Sequence, residues 1–232
     1  MEVFRYKTKE EARAKAADGL DNLFREISGP VLFLSSGGSS LELLNGLQIG
    51  ENVTVSVLDE RYSTDPAVNN FVQLFERIRP NAFIDTRVGQ NEILEQLAER
   101  FEKELRMWKE KNPEGKIVIT QGMGFDGHVA GIMPYPENRE LFRQMFENRE
   151  RWVVGYDAAG KNQYPLRITV TFPFLRQVDY SIGYIMGEAK RDALSRVTAS
   201  EGSLPETPGR ILREMKSVKI FTDIDKPVHI RI

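Results

Sequence analysis

The chain has 232 residues, of which 41% are hydrophobic and 28% are charged, and its formal net charge is −2. This is the composition of an ordinary globular protein with ample material for a core. The absence of cysteine excludes disulfides, thiolate nucleophiles and thiolate metal ligands. The small net charge argues against a nucleic-acid partner. The N-terminus has no apolar signal-peptide core, and no apolar run approaches the roughly 20 residues of a membrane span. We therefore expect a cytoplasmic protein that binds neither nucleic acid nor membrane.

Apolar spacing typical of strands alternates with spacing typical of helices along the whole chain. Thr8 and Glu11 have the spacing of a capping box ahead of the first helix, and Ser39 and Glu42 repeat it ahead of the second. In chain order the predicted elements are strand Met1–Tyr6, helix Thr8–Ile27, strand Val31–Leu34, helix Leu41–Leu47, strand Val53–Leu58, a helix carrying Phe71 to Ile78, helix Asn91–Lys111, strand Lys116–Thr120, helix Glu137–Asn148, strands Trp152–Tyr156, Arg167–Phe172 and Tyr180–Met186, helix Glu188–Val197, helix Gly209–Met215 and strand Val218–Thr222. The pattern predicts one α/β domain over residues 1–232, with a mostly parallel sheet and helices on both faces.

The segment Gln121–Pro134, QGMGFDGHVAGIMP, carries the strongest functional signal. It follows a predicted buried strand, which is the place where α/β proteins display their reactive groups. Asp126 and His128 stand two residues apart in this glycine-rich turn. Because histidine titrates near neutral pH, we predict that His128 is a general base. Asp126 would orient its ring or face it across the substrate.

The same turn also fits other interpretations. Its glycines, Gly122, Gly124 and Gly127, match a dinucleotide-binding fingerprint. Pro134 and Pro136 interrupt the long helix that such a site requires, which disfavours it. A purely structural tight turn explains the glycines but not the acid and the histidine beside them. A metal centre is a poor fit, since the chain has only two histidines and no cysteine.

Other polar segments flank the predicted strands. Ser35–Ser40, SSGGSS, joins a strand to a helix start, where free backbone N–H groups favour an anion. A plain turn capped by Ser39 is the alternative. Asp59–Arg61 follows one strand and Arg167 opens another. Lys190 begins a helix, where the macrodipole disfavours a cation, so it is a candidate anion ligand.

In this order, the segments resemble the motifs of the family that contains 6-phosphogluconolactonases and glucosamine-6-phosphate deaminases. Ser36–Ser40 (SGGSS) is similar to the family's SGGST loop, and Asp59–Arg61 to its DER motif. Gly122–Pro134 resembles the GxGxDGHTASLFP signature, with TASLF replaced by VAGIM. Arg167–Thr171 (RITVT) and Gly187–Lys190 (GEAK) resemble the RITLT and GxxK segments. The resemblance implies a three-layer α/β/α, modified Rossmann-like fold of the glucosamine-6-phosphate deaminase, ribose-5-phosphate isomerase and CoA-transferase type.

The resemblance also implies an activity. This is the hydrolysis of 6-phospho-D-glucono-1,5-lactone to 6-phosphogluconate, a step of the oxidative pentose phosphate pathway, without metal or cofactor. It implies His128, Asp126 and Asp59 as catalytic residues. The phosphate would be held by the glycine–serine loop and by cations of the other motifs, namely Ser36, Gly37, Gly38, Ser39, Arg61, Arg167 and Lys190. We expect a monomer or small homo-oligomer whose partner is a small sugar phosphate.

Two alternatives to the lactonase remain open. The first is a deaminase or isomerase that acts on another sugar phosphate. Deaminases of the family carry a glutamate five residues after the histidine, where this chain has Met133, and Asp-Glu-Tyr where it has Arg61. Both differences favour a lactonase. The second is a non-catalytic sugar-phosphate-binding protein, which would have no need of His128. The altered VAGIM portion leaves the choice of sugar phosphate open.

Overall fold

The computed structural model describes residues 1–225 of the protein. The strands of this part are β1 Glu2–Arg5, β2 Val31–Ser35, β3 Val53–Val57, β4 Asp59–Arg61, β5 Ala82–Phe83, β6 Lys116–Gln121, β7 Val153–Asp157, β8 Leu166–Val170, β9 Tyr180–Ile185 and β10 Ser217–Thr222. Its α-helices are α1 Lys9–Glu26, α2 Asn70–Phe75, α3 Leu94–Lys111, α4 Arg139–Phe146, α5 Phe172–Leu175 and α6 Arg191–Thr198. Within these residues no helix combines the length and apolarity needed to cross a bilayer.

A seven-stranded, wholly parallel sheet lies at the centre, in the order β1-β10-β9-β6-β2-β3-β5. The interior strand β2 is buried on both faces. Val31 and Phe33 belong to one hydrophobic cluster, and Leu32 and Leu34 belong to the other. Burial on both faces explains why this strand is continuously apolar instead of alternating.

Helices cover both faces of the sheet. The helix α1 presents a buried stripe at four-residue spacing, Ala12, Ala16, Leu20 and Phe24, to the cluster that also contains α2. The apolar stripes of α3, α4 and α6 enter the cluster on the opposite face. Thr8 caps α1, because its hydroxyl accepts the N–H of Glu11 at 3.1 Å. The predicted α/β architecture with a mostly parallel sheet is therefore confirmed.

A second, antiparallel sheet was not predicted. Its strand order is β4-β8-β7. In the register of β4 and β8, Asp59 lies opposite Thr169 and Arg61 lies opposite Arg167. The DER segment is thus itself a short strand, not only a strand end. This sheet brings two distant polar motifs to the same place.

The local predictions differ from the structure mainly in the short elements. The proposed capping box of Ser39 and Glu42 is wrong, because Gly38–Leu44 form a 3-10 helix without a side-chain cap. Glu42 instead pairs with the Lys9 ammonium at 3.0 Å. The helix α3 begins later than predicted, at Leu94, because Asn91 has a φ of 59°, outside the right-handed helical region.

Two other predicted helices are partly or wholly 3-10 helices. The predicted helix Glu188–Val197 begins with a 3-10 turn, Glu188–Lys190, before α6. The predicted helix Gly209–Met215 is a 3-10 helix, Pro208–Arg213. The two-residue strand β5 and the four-residue helix α5 were missed, because elements this short carry no periodic signal.

Candidate active site

A cavity of about 470 Å³ opens at the carboxyl ends of the neighbouring strands β2, β6 and β9. The loops that follow these parallel strands supply three sides, as is usual for ligand sites in open α/β sheets. The second sheet supplies the fourth side. Nine of the ten predicted site residues line the cavity, namely Ser36, Gly37, Gly38, Ser39, Asp59, Arg61, His128, Arg167 and Lys190. The tenth, Asp126, lies directly behind His128.

Asp126 and His128 form a hydrogen-bonded pair. The Asp126 Oδ1 atom lies 2.7 Å from His128 Nδ1 and also accepts the backbone N–H of His128 at 3.1 Å. Burial would raise the pKa of Asp126, but the hydrogen bonds and charge of His128 outweigh it and lower the pKa below its ordinary value. An ionised carboxylate can only accept, so Nδ1 carries the proton of the neutral ring. The nitrogen left for the cavity is Nε2, in its basic form.

Glycine is required beneath this pair. A Cβ atom on Gly124 would overlap His128 Nδ1 and lie 2.5 Å from Asp126 Oδ1. The Gly124 N–H donates to the His128 carbonyl at 2.9 Å, which closes the turn on itself. Gly127 completes it with a φ of 93°. Gly124 and Gly127 therefore shape the turn that carries the acid–histidine pair.

Asp59 and Arg167 form a buried ion pair in the cavity wall. Arg167 Nη1 donates to Asp59 Oδ2 at 2.8 Å, and the two side chains are 7% and 8% exposed. The rest of the guanidinium donates to Tyr164 O at 3.1 Å and to Asn162 Oδ1 at 3.0 Å. Gly131 leaves room for the aspartate, since a Cβ there would lie 2.6 Å from Oδ2. Much of the charge of Arg167 is therefore balanced within the protein.

The cations of Arg61 and Lys190 are differently placed. Arg61 donates to the Val68 carbonyl at 2.8 Å and lies over the ring of Tyr164, with 4.8 Å between the guanidinium carbon and the ring centroid. Burial lowers the pKa of Lys190, and the nearby Asp223 opposes that change. Neither cation forms an ion pair with a carboxylate of residues 1–225. Both therefore bring positive charge to the cavity that is still available to a ligand.

The Ser36–Ser39 loop forms the edge of the cavity next to these cations. Gly38 has a φ of 66°, which turns the chain sharply after β2. The N–H groups of Gly37, Gly38 and Ser39 donate to no acceptor among the described residues. The Ser36 hydroxyl is buried and has no hydrogen-bond partner there either. Unpaired donors in a wall of a cavity favour an anionic or hydroxyl-bearing ligand.

Sequence reasoning missed several cavity residues. Asn70 is 2% exposed and donates through Nδ2 to the Asp59 carbonyl at 2.8 Å. Asn162, Gln163 and Tyr164 line the cavity from the loop between β7 and β8. The pair Asn69-Asn70 before a helix was a visible signal, and Asn69 does cap α2. The loop residues had no such signal, because only the pairing of β8 with β4 brings them to the site.

The VAGIM portion divides between cavity and core. Val129, Ala130 and Gly131 line the cavity. Ile132 and Met133 are fully buried in the hydrophobic cluster with α3 and α4. The side chain that stands where the deaminases have glutamate is therefore part of the core, not of the cavity wall.

Fold and site together define an α/β protein with an acid–histidine pair and a group of cations in one cleft at the carboxyl edge of its sheet. The family model described as glucosamine-6-phosphate isomerases/6-phosphogluconolactonase matches residues 8–220. The chain therefore belongs to this family, as the motif resemblance predicted.

Curated relatives of the chain are named 6-phosphogluconolactonase. The protein of Rhizobium meliloti is 32% identical over 95 residues, which are 41% of this chain and 39% of that protein. The protein of Chlamydia trachomatis is 31% identical over 80 residues, which are 34% of this chain and 28% of that protein. The matched segments thus span less than half the length of these relatives.

Solved structures extend the likeness to the whole fold. A 6-phosphogluconolactonase from Shewanella baltica superposes with a TM-score of 0.79 at 18% identity, over 96% of this chain and 97% of that one. The 6-phosphogluconolactonase from Thermotoga maritima superposes with a TM-score of 0.72 at 21% identity, over 95% and 97% of the two chains. At these identities the likeness establishes the fold.

Proposed function

We propose that the protein hydrolyses 6-phospho-D-glucono-1,5-lactone to 6-phosphogluconate, as a cytoplasmic step of the oxidative pentose phosphate pathway. The observation that carries the proposal is the His128–Asp126 pair, whose free ring nitrogen shares a cavity with two cations that have no carboxylate partner in the described part of the chain. Family membership and the names of the relatives support it.

A lactone is an activated ester, so one positioned base and a water molecule are sufficient for its hydrolysis. In the proposed mechanism, His128 Nε2 removes a proton from a water molecule as the water oxygen bonds to C1. The carbonyl π electrons move to the carbonyl oxygen, and the positive groups of the cavity stabilise this oxyanion. The oxyanion then re-forms the carbonyl, the bond from C1 to the ring oxygen breaks, and the imidazolium returns its proton to that oxygen.

Asp126 acts through His128 in this mechanism. Its carboxylate fixes the tautomer in which Nε2 is unprotonated, and it stabilises the imidazolium that forms after proton transfer. No serine nucleophile is needed, and the chain contains no G-x-S-x-G elbow.

The phosphate of the substrate is proposed to bind to Arg61, Lys190 and the N–H groups and hydroxyls of the Ser36–Ser39 loop. Arg167 would contribute less charge, because Asp59 balances it. Asp59 would hold Arg167 in place and line the substrate site. Binding of the remote phosphate orients C1 towards His128 and removes entropy from the chemical step.

The deaminase alternative requires a carboxylate in the site at position 133. Met133 is fully buried in the core, so that position supplies none. This favours the lactonase over the deaminase.

A coupled assay with freshly prepared lactone tests the proposal. Formation of 6-phosphogluconate is followed with and without the protein, since the lactone also opens spontaneously. We expect a saturable acceleration over the background. Lys190→Met should raise KM with little effect on kcat, because it removes binding charge and leaves His128 intact. A rate equal to the spontaneous background at every protein concentration would refute the proposal.

A further inference from the structure

We propose that Glu60 is a positioning residue, which holds the substrate-binding wall formed by Asp59, Arg61 and Asn70. Glu60 does not line the cavity and is fully buried. It acts on the site only through the groups that it holds. The inference rests on the proposed function, because the wall is taken to bind the sugar phosphate.

The carboxylate of Glu60 accepts four hydrogen bonds. Oε1 accepts the backbone N–H groups of Arg61 at 2.8 Å and of Asn70 at 2.7 Å. Oε2 accepts the N–H of Phe71 at 2.8 Å and the hydroxyl of Thr86 at 3.3 Å. One side chain thus ties β4 to the first turn of α2 and to the segment after β5.

These bonds set the position of the cavity wall. Asn70, once held at its backbone, donates from Nδ2 to the Asp59 carbonyl at 2.8 Å. Its side chain also packs against the Ser36–Ser39 loop, because a Cβ on Gly37 would overlap Asn70 Oδ1. Arg61, held at its own N–H, is one of the two cations proposed to bind the phosphate. Displacing Glu60 would therefore shift both Asp59 and Arg61 in the cavity wall.

A carboxylate suits this place better than an amide. All four partners of Glu60 are donors, and an ionised carboxylate is the side-chain group that offers only acceptors. Its hydrogen-bond partners within residues 1–225 are N–H groups and a hydroxyl, not a cation. Burial raises the pKa of Glu60 to about 7, and the backbone N–H groups oppose the rise. A carboxylate kept at this cost beside a binding cavity is typical of functional positions.

The test is Glu60→Gln, with Glu102→Gln as the matched control. Glu102 also accepts two backbone N–H groups, those of Trp152 and Val153 at 3.0 Å each, but it lies outside the cavity. Each variant is assayed for KM and kcat with the lactone, and for its unfolding midpoint. We expect Glu60→Gln to raise KM roughly tenfold or more, with a much smaller change in kcat, because His128 sits on a different loop. Glu102→Gln should lower stability and leave KM unchanged.

A second variant keeps the test decisive if Glu60→Gln does not fold. Asn70→Ala removes the link to Asp59 without touching Glu60, and it should also raise KM selectively. Hydrogen exchange at the amides of Asn70 and Phe71 reports on the hydrogen bonds that Glu60 accepts from them, and it requires no turnover. These amides should exchange faster in Glu60→Gln than in Glu102→Gln. A wild-type protein without lactonase activity would refute the proposed function alone. An unchanged KM in Glu60→Gln would overturn the role of Glu60, as would amide exchange no faster than in Glu102→Gln. If Glu60→Gln does not fold, an unchanged KM in Asn70→Ala would overturn it.

Discussion

Replacement of Arg167 by methionine should destabilise the protein far more than the same replacement of Arg61. The Arg167–Asp59 pair spans 2.8 Å, and both side chains are less than one-tenth exposed. Removing the arginine leaves the Asp59 charge buried without a partner, which typically costs about 3–5 kcal/mol. Arg61 loses one hydrogen bond, to Val68, and a contact with the ring of Tyr164, together worth about 1–2 kcal/mol.

Urea unfolding at pH 7 measures these losses as shifts of the midpoint at constant slope. The double variant Asp59→Asn, Arg167→Met removes both charges, so it should be more stable than Arg167→Met alone. Arg61→Met and Arg167→Met each remove one positive charge from the cavity, so both are expected to raise KM. Their stabilities, in contrast, should differ. Equal losses for Arg61→Met and Arg167→Met, or a double variant less stable than Arg167→Met, would refute the account of the ion pair.

Two further predictions concern groups around the site. Gly124→Ala should lower kcat by roughly 100-fold with little loss of stability, because the new methyl group would displace His128 and Asp126. Steady-state kinetics of the variant measure the effect, and a kcat equal to that of the wild type would contradict the prediction. Glu60 has a pKa of about 7 in the folded protein against 4.5 for the free side chain, so the folded state binds more protons between these values. The stability of the wild type relative to Glu60→Gln should therefore be highest below about pH 4.5 and should fall, by up to about 3 kcal/mol, as the pH rises to 7. Urea titrations of both proteins at several pH values measure this difference. A stability difference that does not change with pH would rule the prediction out.

Most of the central sheet and the long helices follow from local sequence alone. The buried stripe of α1 and the continuous apolar run of β2 reflect the environment on one or both faces of the element, and both can be read from spacing. The second sheet could not be predicted in this way. Its pairing of Asp59–Arg61 with Arg167–Thr169 joins residues about a hundred positions apart, and strands of three to five residues carry no signal of their partners.

The site shows the same division. The convergence of the Ser36–Ser39 loop, His128 and Lys190 follows from the rule that the carboxyl ends of parallel strands share one edge. The ion pair of Arg167 with Asp59 and the hydrogen bond from the Asn70 N–H to Glu60 depend on tertiary contacts. The motif pattern therefore could not show which of these residues bind a ligand and which position their neighbours. Glu60, which the motif pattern left without a role, proved to be fully buried.

The central claim, that His128 activates water, is tested most directly by the kcat of His128→Gln in the coupled lactone assay. Glutamine approximates the size of the ring but removes the base. The account predicts a kcat at least 100-fold below that of the wild type, with an unchanged unfolding midpoint and unchanged affinity for 6-phosphogluconate. Asp126→Asn should lie between the two, because it disturbs the tautomer but leaves the ring in place. Turnover of His128→Gln near the wild-type rate would contradict the mechanism.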